Sequence, residues 1–125
     1  PIVRNAFKPL SSVANIRIIE PVNYTDMVGL MSSSYFILTD SGGLQEEAPF
    51  LKKPVLVLRD TTERQEALEL GTIRLVGAKK EEILQASKIL LDNTEEYSEM
   101  ISPVNPYGDG YASNQIVDTL IEYFK

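Results

Sequence analysis

Residues 54–58 read Pro54-Val55-Leu56-Val57-Leu58, and every position after the proline is apolar. A strand with no polar alternation has no face to offer water. It suits a parallel sheet covered on both sides. That run sets the reading of its neighbours. Residues 16–19 (Ile16-Arg17-Ile18-Ile19, closed by Glu20-Pro21), 35–38 and 72–76 are the other expected strands. Helical spacing fills the intervals. Residues 26–33 place Met27, Leu30 and Met31 on one face, and 43–51 place Leu44, Ala48 and Leu51 at i, i+4 and i+7, with Pro49 expected to shorten or kink that helix. Residues 64–70 read as a short helix ended by Gly71. Three more follow. The helix at 80–91 turns Ile83, Leu84, Ser87, Leu90 and Leu91 inward, that at 94–101 has Thr94 as N-cap, and that at 113–124 aligns Ile116, Val117, Leu120 and Phe124. Strands separated by helices predict an α/β fold, a Rossmann-like parallel sheet with helices on both faces and right-handed crossovers.

In such sheets ligands bind at the carboxyl ends of strands. Three loops are expected at that edge, 20–25, 40–43 and 59–64, and they hold most of the chemically loaded residues. The most informative is Asp40-Ser41-Gly42-Gly43, between the strand at 35–38 and the next helix. A helix start leaves backbone N–H groups unpaired and adds partial positive charge, which together make an anion site. Gly42 and Gly43 lack a Cβ, so a diphosphate can approach the backbone there. Ser41 can cap the helix or donate its hydroxyl to a phosphate oxygen. An ordinary strand–turn–helix junction has the same local look.

The loop Arg59-Asp60-Thr61-Thr62-Glu63-Arg64 follows the apolar strand directly, and an arginine there can present its planar fork to a phosphate or carboxylate. Glu46 and Glu47 are adjacent, so on a helix they point about 100° apart and cannot share one site. Taken alone, each is accounted for by the helix dipole, a contribution of roughly 0.3–1 kcal/mol. Asn105-Pro106-Tyr107-Gly108-Asp109-Gly110 has the composition of a tight connector, and Lys79-Lys80-Glu81-Glu82 that of a solvated helix start.

Composition removes several chemistries. With no histidine and no cysteine among 125 residues, the chain has no imidazole base, no Ser-His-Asp triad, no thiolate and no disulfide. We expect no metal site and no cofactor. The absence of cysteine suits a reducing, cytoplasmic setting. A formal charge of −6 without a dense basic block argues against nucleic acid. No apolar run approaches the ~20 residues that span a bilayer, so no membrane partner is expected. The first residues, Pro1-Ile2-Val3-Arg4-Asn5, resemble no signal peptide. They begin without Met, which suggests an excised part of a larger protein.

The motifs 38–49 (LTDSGGLQEEAP), 54–64 (PVLVLRDTTER), 71–77 (GTIRLVG) and 105–110 (NPYGDG), in this order and spacing, resemble the C-terminal part of the non-hydrolysing UDP-N-acetylglucosamine 2-epimerases. The resemblance covers nearly the whole chain, with Pro1 near the proline of the family's next motif. It implies the C-terminal half of a two-domain glycosyltransferase-B-type architecture. Residues 1–125 would then be a partial UDP-binding domain lacking its first strands. It also implies a cytoplasmic isomerase of cell-envelope polysaccharide biosynthesis, homodimeric at full length, that interconverts UDP-N-acetylglucosamine and UDP-N-acetylmannosamine by eliminating and re-adding UDP.

By the same resemblance, Ser41, Gly42 and Gly43 contact the diphosphate, Glu47 holds the ribose, Arg64 lies near the phosphates and Met27 stands over the uracil. No catalytic residue falls in this chain, whose isolated form is expected to be inactive. Two departures stand out. Gln65 replaces a proline common in relatives, and Lys52 replaces a glycine that bears on a helix cap. The alternatives are the donor-binding half of a UDP-sugar glycosyltransferase and a non-catalytic nucleotide-sugar binding module.

Overall fold

The computed structural model describes residues 2–101 and 104–125, the first three of these by backbone alone. Pro1 lies outside them. The chain forms two compact units, 1–30 and 31–125. The first contains α1 (Ile2–Phe7), a 3-10 turn (Lys8–Ser12), an irregular stretch and the start of α2 (Tyr24–Ser33). Asn23 opens α2 by accepting from the Asp26 amide at 2.9 Å while its own amide donates to the Asp26 carboxylate, a reciprocal cap. Residues 16–19 are not a strand, contrary to the sequence expectation. Ile16, Ile18 and Ile19 are exposed, and among the described residues no strand pairs with them. An apolar run becomes a strand only with a partner to complete its hydrogen bonds.

The second unit is built on β1 (Ile37–Thr39), β2 (Val55–Val57) and β3 (Ile73–Leu75), a parallel sheet in the order β1-β2-β3. Ile37 pairs with Val55, which pairs with Ile73. The apolar run therefore occupies the central strand, and Val55, Leu56 and Val57 are fully buried. Leu56 packs in a core with Val76, Ala86, Leu90 and Met100, on the face covered by α5 (Lys80–Asp92) and α6 (Thr94–Ile101). Strand alternation turns Val55 and Val57 to the opposite face, that of the crossover helices α3 (Gly42–Phe50) and α4 (Gln65–Glu69). Each fully buried aliphatic side chain contributes ~1.5–3 kcal/mol.

Three details differ from the sequence reading. On α5 the inward face is Ile83, Ala86 and Leu90, at i, i+3 and i+7, while Leu84 and Leu91, about 100° further round the helix, are exposed. The cap of α6 is Asn93, whose Oδ1 accepts from the Glu95 and Glu96 amides, so Thr94 is already helical. Helix α7 (Ala112–Tyr123) forms as expected, but Ile116, Val117 and Leu120 on its apolar face are each at least half exposed. Pro49 sits one residue before the end of α3, where its missing N–H forgoes one bond to the Gln45 carbonyl without breaking the helix.

Candidate functional site

Strand β1 ends at Thr39, and α3 begins at Gly42. Between them the buried Thr39 hydroxyl accepts from the Ser41 amide at 3.0 Å. Ser41 is the N-cap residue, in extended conformation, but its side chain makes no capping bond. Of the two roles open to that hydroxyl, capping is not the one it takes. Neither Gly42 nor Gly43 has a positive φ. Their glycine requirement is thus one of space rather than dihedral. A Cβ on Gly42 would lie 3.1 Å from Glu63 Oε1 and 3.8 Å from Arg64 Nη2. One on Gly43 would lie 3.9 Å from Ser41 Oγ and 4.0 Å from Glu47 Oε1. Ser41, Gly42, Gly43, Glu47 and Arg64 are thereby brought around one turn. Met27 lies half-buried on α2, in the first unit.

The β2–α4 loop supplies the charges. Arg59 Nη1 is 3.4 Å and Arg64 Nη1 4.0 Å from the Glu63 carboxylate. Arg64 Nε stands 2.5 Å from Glu46 Oε1, but it is buried and its N–H makes no aligned hydrogen bond, so the contact is a close ion pair. The two carboxylates on Arg64 come from different elements, α3 and the loop. An anion arriving at the glycine turn meets a guanidinium already beside carboxylates. Loops 40–43 and 59–64 thus converge as the sequence predicts, whereas 20–25 belongs to the first unit.

Two residues that sequence reasoning passed over hold the loops together. Gln45 is fully buried. Its amide donates to the Ser41 carbonyl at 3.2 Å, and its carbonyl accepts from the Thr62 hydroxyl at 2.5 Å. The same hydroxyl accepts from the Arg64 amide at 3.1 Å. A signal was present: Gln45 occupies the buried stripe with Ala48 and Pro49, where a polar side chain must find partners. Gln65, in place of proline, bonds through its side-chain amide to the Thr62 carbonyl, which ties the loop by another means.

The 105–110 connector also reaches the site. Asn105 and Asp109 accept from backbone amides two residues on, and Gly108 and Gly110 take positive φ, as a tight loop requires. Tyr107 lies within electrostatic reach of Glu46, Arg64 and Glu66. Burial pushes its hydroxyl pKa up and the carboxylates add to that, while Arg64 opposes them. A groove of about 390 Å³ beyond the ends of β2 and β3 is lined by Arg59, Asp60, Arg74, Gly77 and Glu82. Its arginines are engaged by Glu63 and Glu96, and Asp60 and Glu82 add negative charge to its lining. Among the described residues no group of three potential ligands could hold a metal, and no helix is long and apolar enough to cross a membrane.

Comparison with known proteins agrees on one family. The profile described as UDP-N-acetylglucosamine 2-epimerase matches residues 1–121. A UDP-N-acetylglucosamine 2-epimerase of Campylobacter jejuni is 52% identical over 113 residues, which are 90% of this chain and 30% of that protein. The crystal structure of a putative UDP-N-acetylglucosamine 2-epimerase from Listeria monocytogenes superposes with a TM-score of 0.92 at 45% identity, over 100% of this chain and 34% of that one. The Neisseria meningitidis enzyme, solved bound to UDP-GlcNAc, gives 0.89 at 52% identity over 98% of this chain and 34% of that one. The chain spans about a third of the length of the relatives it matches. Over that third, sequence and fold agree, and the chain belongs to the UDP-N-acetylglucosamine 2-epimerase family.

Proposed function

We propose that this chain is a partial UDP-binding domain of an isomerase that interconverts UDP-N-acetylglucosamine and UDP-N-acetylmannosamine. The observation that carries the reading is the N-terminus of α3 at Gly42-Gly43, free of any side-chain cap bond, with Arg64 beside it. Ser41, Gly42, Gly43 and Arg64 bind the diphosphate, and Glu47 accepts from the ribose hydroxyls.

In the reaction a base removes the proton at C2 of the sugar, and the C1–O bond breaks with its electron pair leaving on UDP. Re-addition of UDP at C1, with a proton delivered to C2 from the other face, gives the epimer. The departing diphosphate gains negative charge. A helix N-terminus and a guanidinium aimed at it stabilise that charge more in the transition state than in the ground state. The proton at C2 is handled by groups outside this chain, which has no histidine and whose carboxylates at the site surround the nucleotide turn.

The test uses the natural gene product that carries this sequence. It is incubated with UDP-N-acetylglucosamine, and the products are resolved by NMR. Formation of the 2-epimer supports the proposal. Sugar transfer to an acceptor identifies a glycosyltransferase instead, and UDP binding without turnover identifies a binding module.

A further inference from the structure

The glycine turn and Arg64 belong to separate loops, and a diphosphate bound by both needs them at a fixed spacing. Ser41 is held from two sides, its amide by Thr39 and its carbonyl by Gln45. Gln45 passes that hold to Thr62, and Thr62 to the amide of Arg64. Every orientation in this relay is forced. The Ser41 carbonyl can only accept, so the Gln45 amide must donate to it. The Gln45 carbonyl then faces the Thr62 hydroxyl, which donates to it and accepts from Arg64. Gln45 and Thr62 are 0% and 6% exposed, so water does not replace these bonds.

We infer that Gln45 and Thr62 are positioning residues that set the distance between the diphosphate turn and Arg64. The inference rests on the proposed reading of the site. Neither side chain is placed against the ligand. Both act through the backbone that carries Ser41 and Arg64.

The experiment is calorimetric titration of UDP into the gene product and its Thr62→Val and Thr62→Ser variants, with uridine titrated by NMR as a ligand lacking the diphosphate. Valine keeps the shape of threonine and removes the hydroxyl. Serine keeps the hydroxyl and removes a methyl. Thr62→Val is expected to weaken UDP about tenfold, the factor carried by ~1.4 kcal/mol. Thr62→Ser should stay within about twofold, and uridine affinity should be the same in all three. If Thr62→Val does not fold, Gln45→Met makes the same comparison.

Wild-type affinity in the valine variant overturns the inference. So does equal loss of UDP and uridine, or a serine variant weaker than the valine variant, because those results describe packing rather than positioning. A wild-type protein that does not bind UDP overturns the proposed function itself, and the inference falls with it.

Discussion

Glu46 Oε1 stands 2.5 Å from Arg64 Nε, while its neighbour Glu47 has a carboxylate oxygen 4.0 Å from where a Cβ on Gly43 would be. Two adjacent glutamates are thus divided between two tasks by the helical rotation of about 100°. Glu46 faces the arginine, and Glu47 faces the turn.

This division sets an order for UDP affinity. Glu47→Gln removes a charge from the proposed ribose contact but leaves one amide oxygen to accept, so a loss of a few-fold is expected. Glu46→Gln should matter less, because its partner Arg64 stays in place through its backbone and the Glu46 ion pair is 30–41% exposed and screened. Such a pair contributes ~0–1 kcal/mol to stability. Calorimetric titration of UDP into both variants checks the order. A larger loss from Glu46→Gln would assign the ribose to the wrong glutamate.

Gly42→Val should abolish most UDP binding and spare the fold. The new side chain would meet Glu63 Oε1, the far end of an exposed and movable side chain, and the backbone φ suits any residue. The same methyl groups would stand where phosphate oxygens approach the α3 amides. Circular dichroism and thermal unfolding test the first half of this expectation, and calorimetry the second. Loss of the fold would show that Gly42 is needed for packing.

Much of the sheet and the turn is legible in the sequence, and the limits have physical causes. The run 54–58 marks β2 because full burial leaves a continuous apolar signature, and the glycine pair at the start of α3 marks the turn. The strand expected at 16–19 fails because pairing is non-local, and the run alone does not show whether a partner is there. The face of α5 is not legible because Leu84 and Leu91 outweigh Ala86 in hydrophobicity, although Ala86 is the buried one. The Gln45–Thr62 link spans 17 residues, beyond any local pattern. Lys52 and Gln65 were readable as departures, and the structure shows what each does.

Alkaline destabilisation should trace in part to Tyr97. Its hydroxyl donates to the Tyr35 carbonyl at 3.0 Å, and its ring stacks on that of Tyr35 with centroids 4.4 Å apart. Burial, then Tyr35, raise its pKa above the ordinary tyrosine value. The folded state therefore favours the protonated form. Its contribution is fully present below the unfolded pKa near 10 and is lost as pH rises through the higher folded value. Tyr97→Phe should lower the melting temperature at pH 7 and flatten its decline above pH ~10. A variant with the same alkaline slope as wild type would place the sensitivity elsewhere.

Lys52→Gly should stabilise the protein. Lys52 has φ +56°, the one positive value outside glycine among the described residues. It ends α3 in a left-handed cap: its amide donates to the Pro49 carbonyl at 3.0 Å, and the Lys53 amide to the Ala48 carbonyl at 3.1 Å. A residue with a Cβ pays roughly 1–2 kcal/mol in that conformation. Glycine avoids this but loses more chain entropy on folding, roughly 0.5–1 kcal/mol. The net expectation is a gain of about 0.5–1 kcal/mol, seen as a higher denaturation midpoint in urea with an unchanged slope. Lys52→Ala keeps the Cβ in the same left-handed conformation, so it should not show this gain. If alanine stabilises as much as glycine, the side chain of Lys52 rather than its backbone conformation sets the cost.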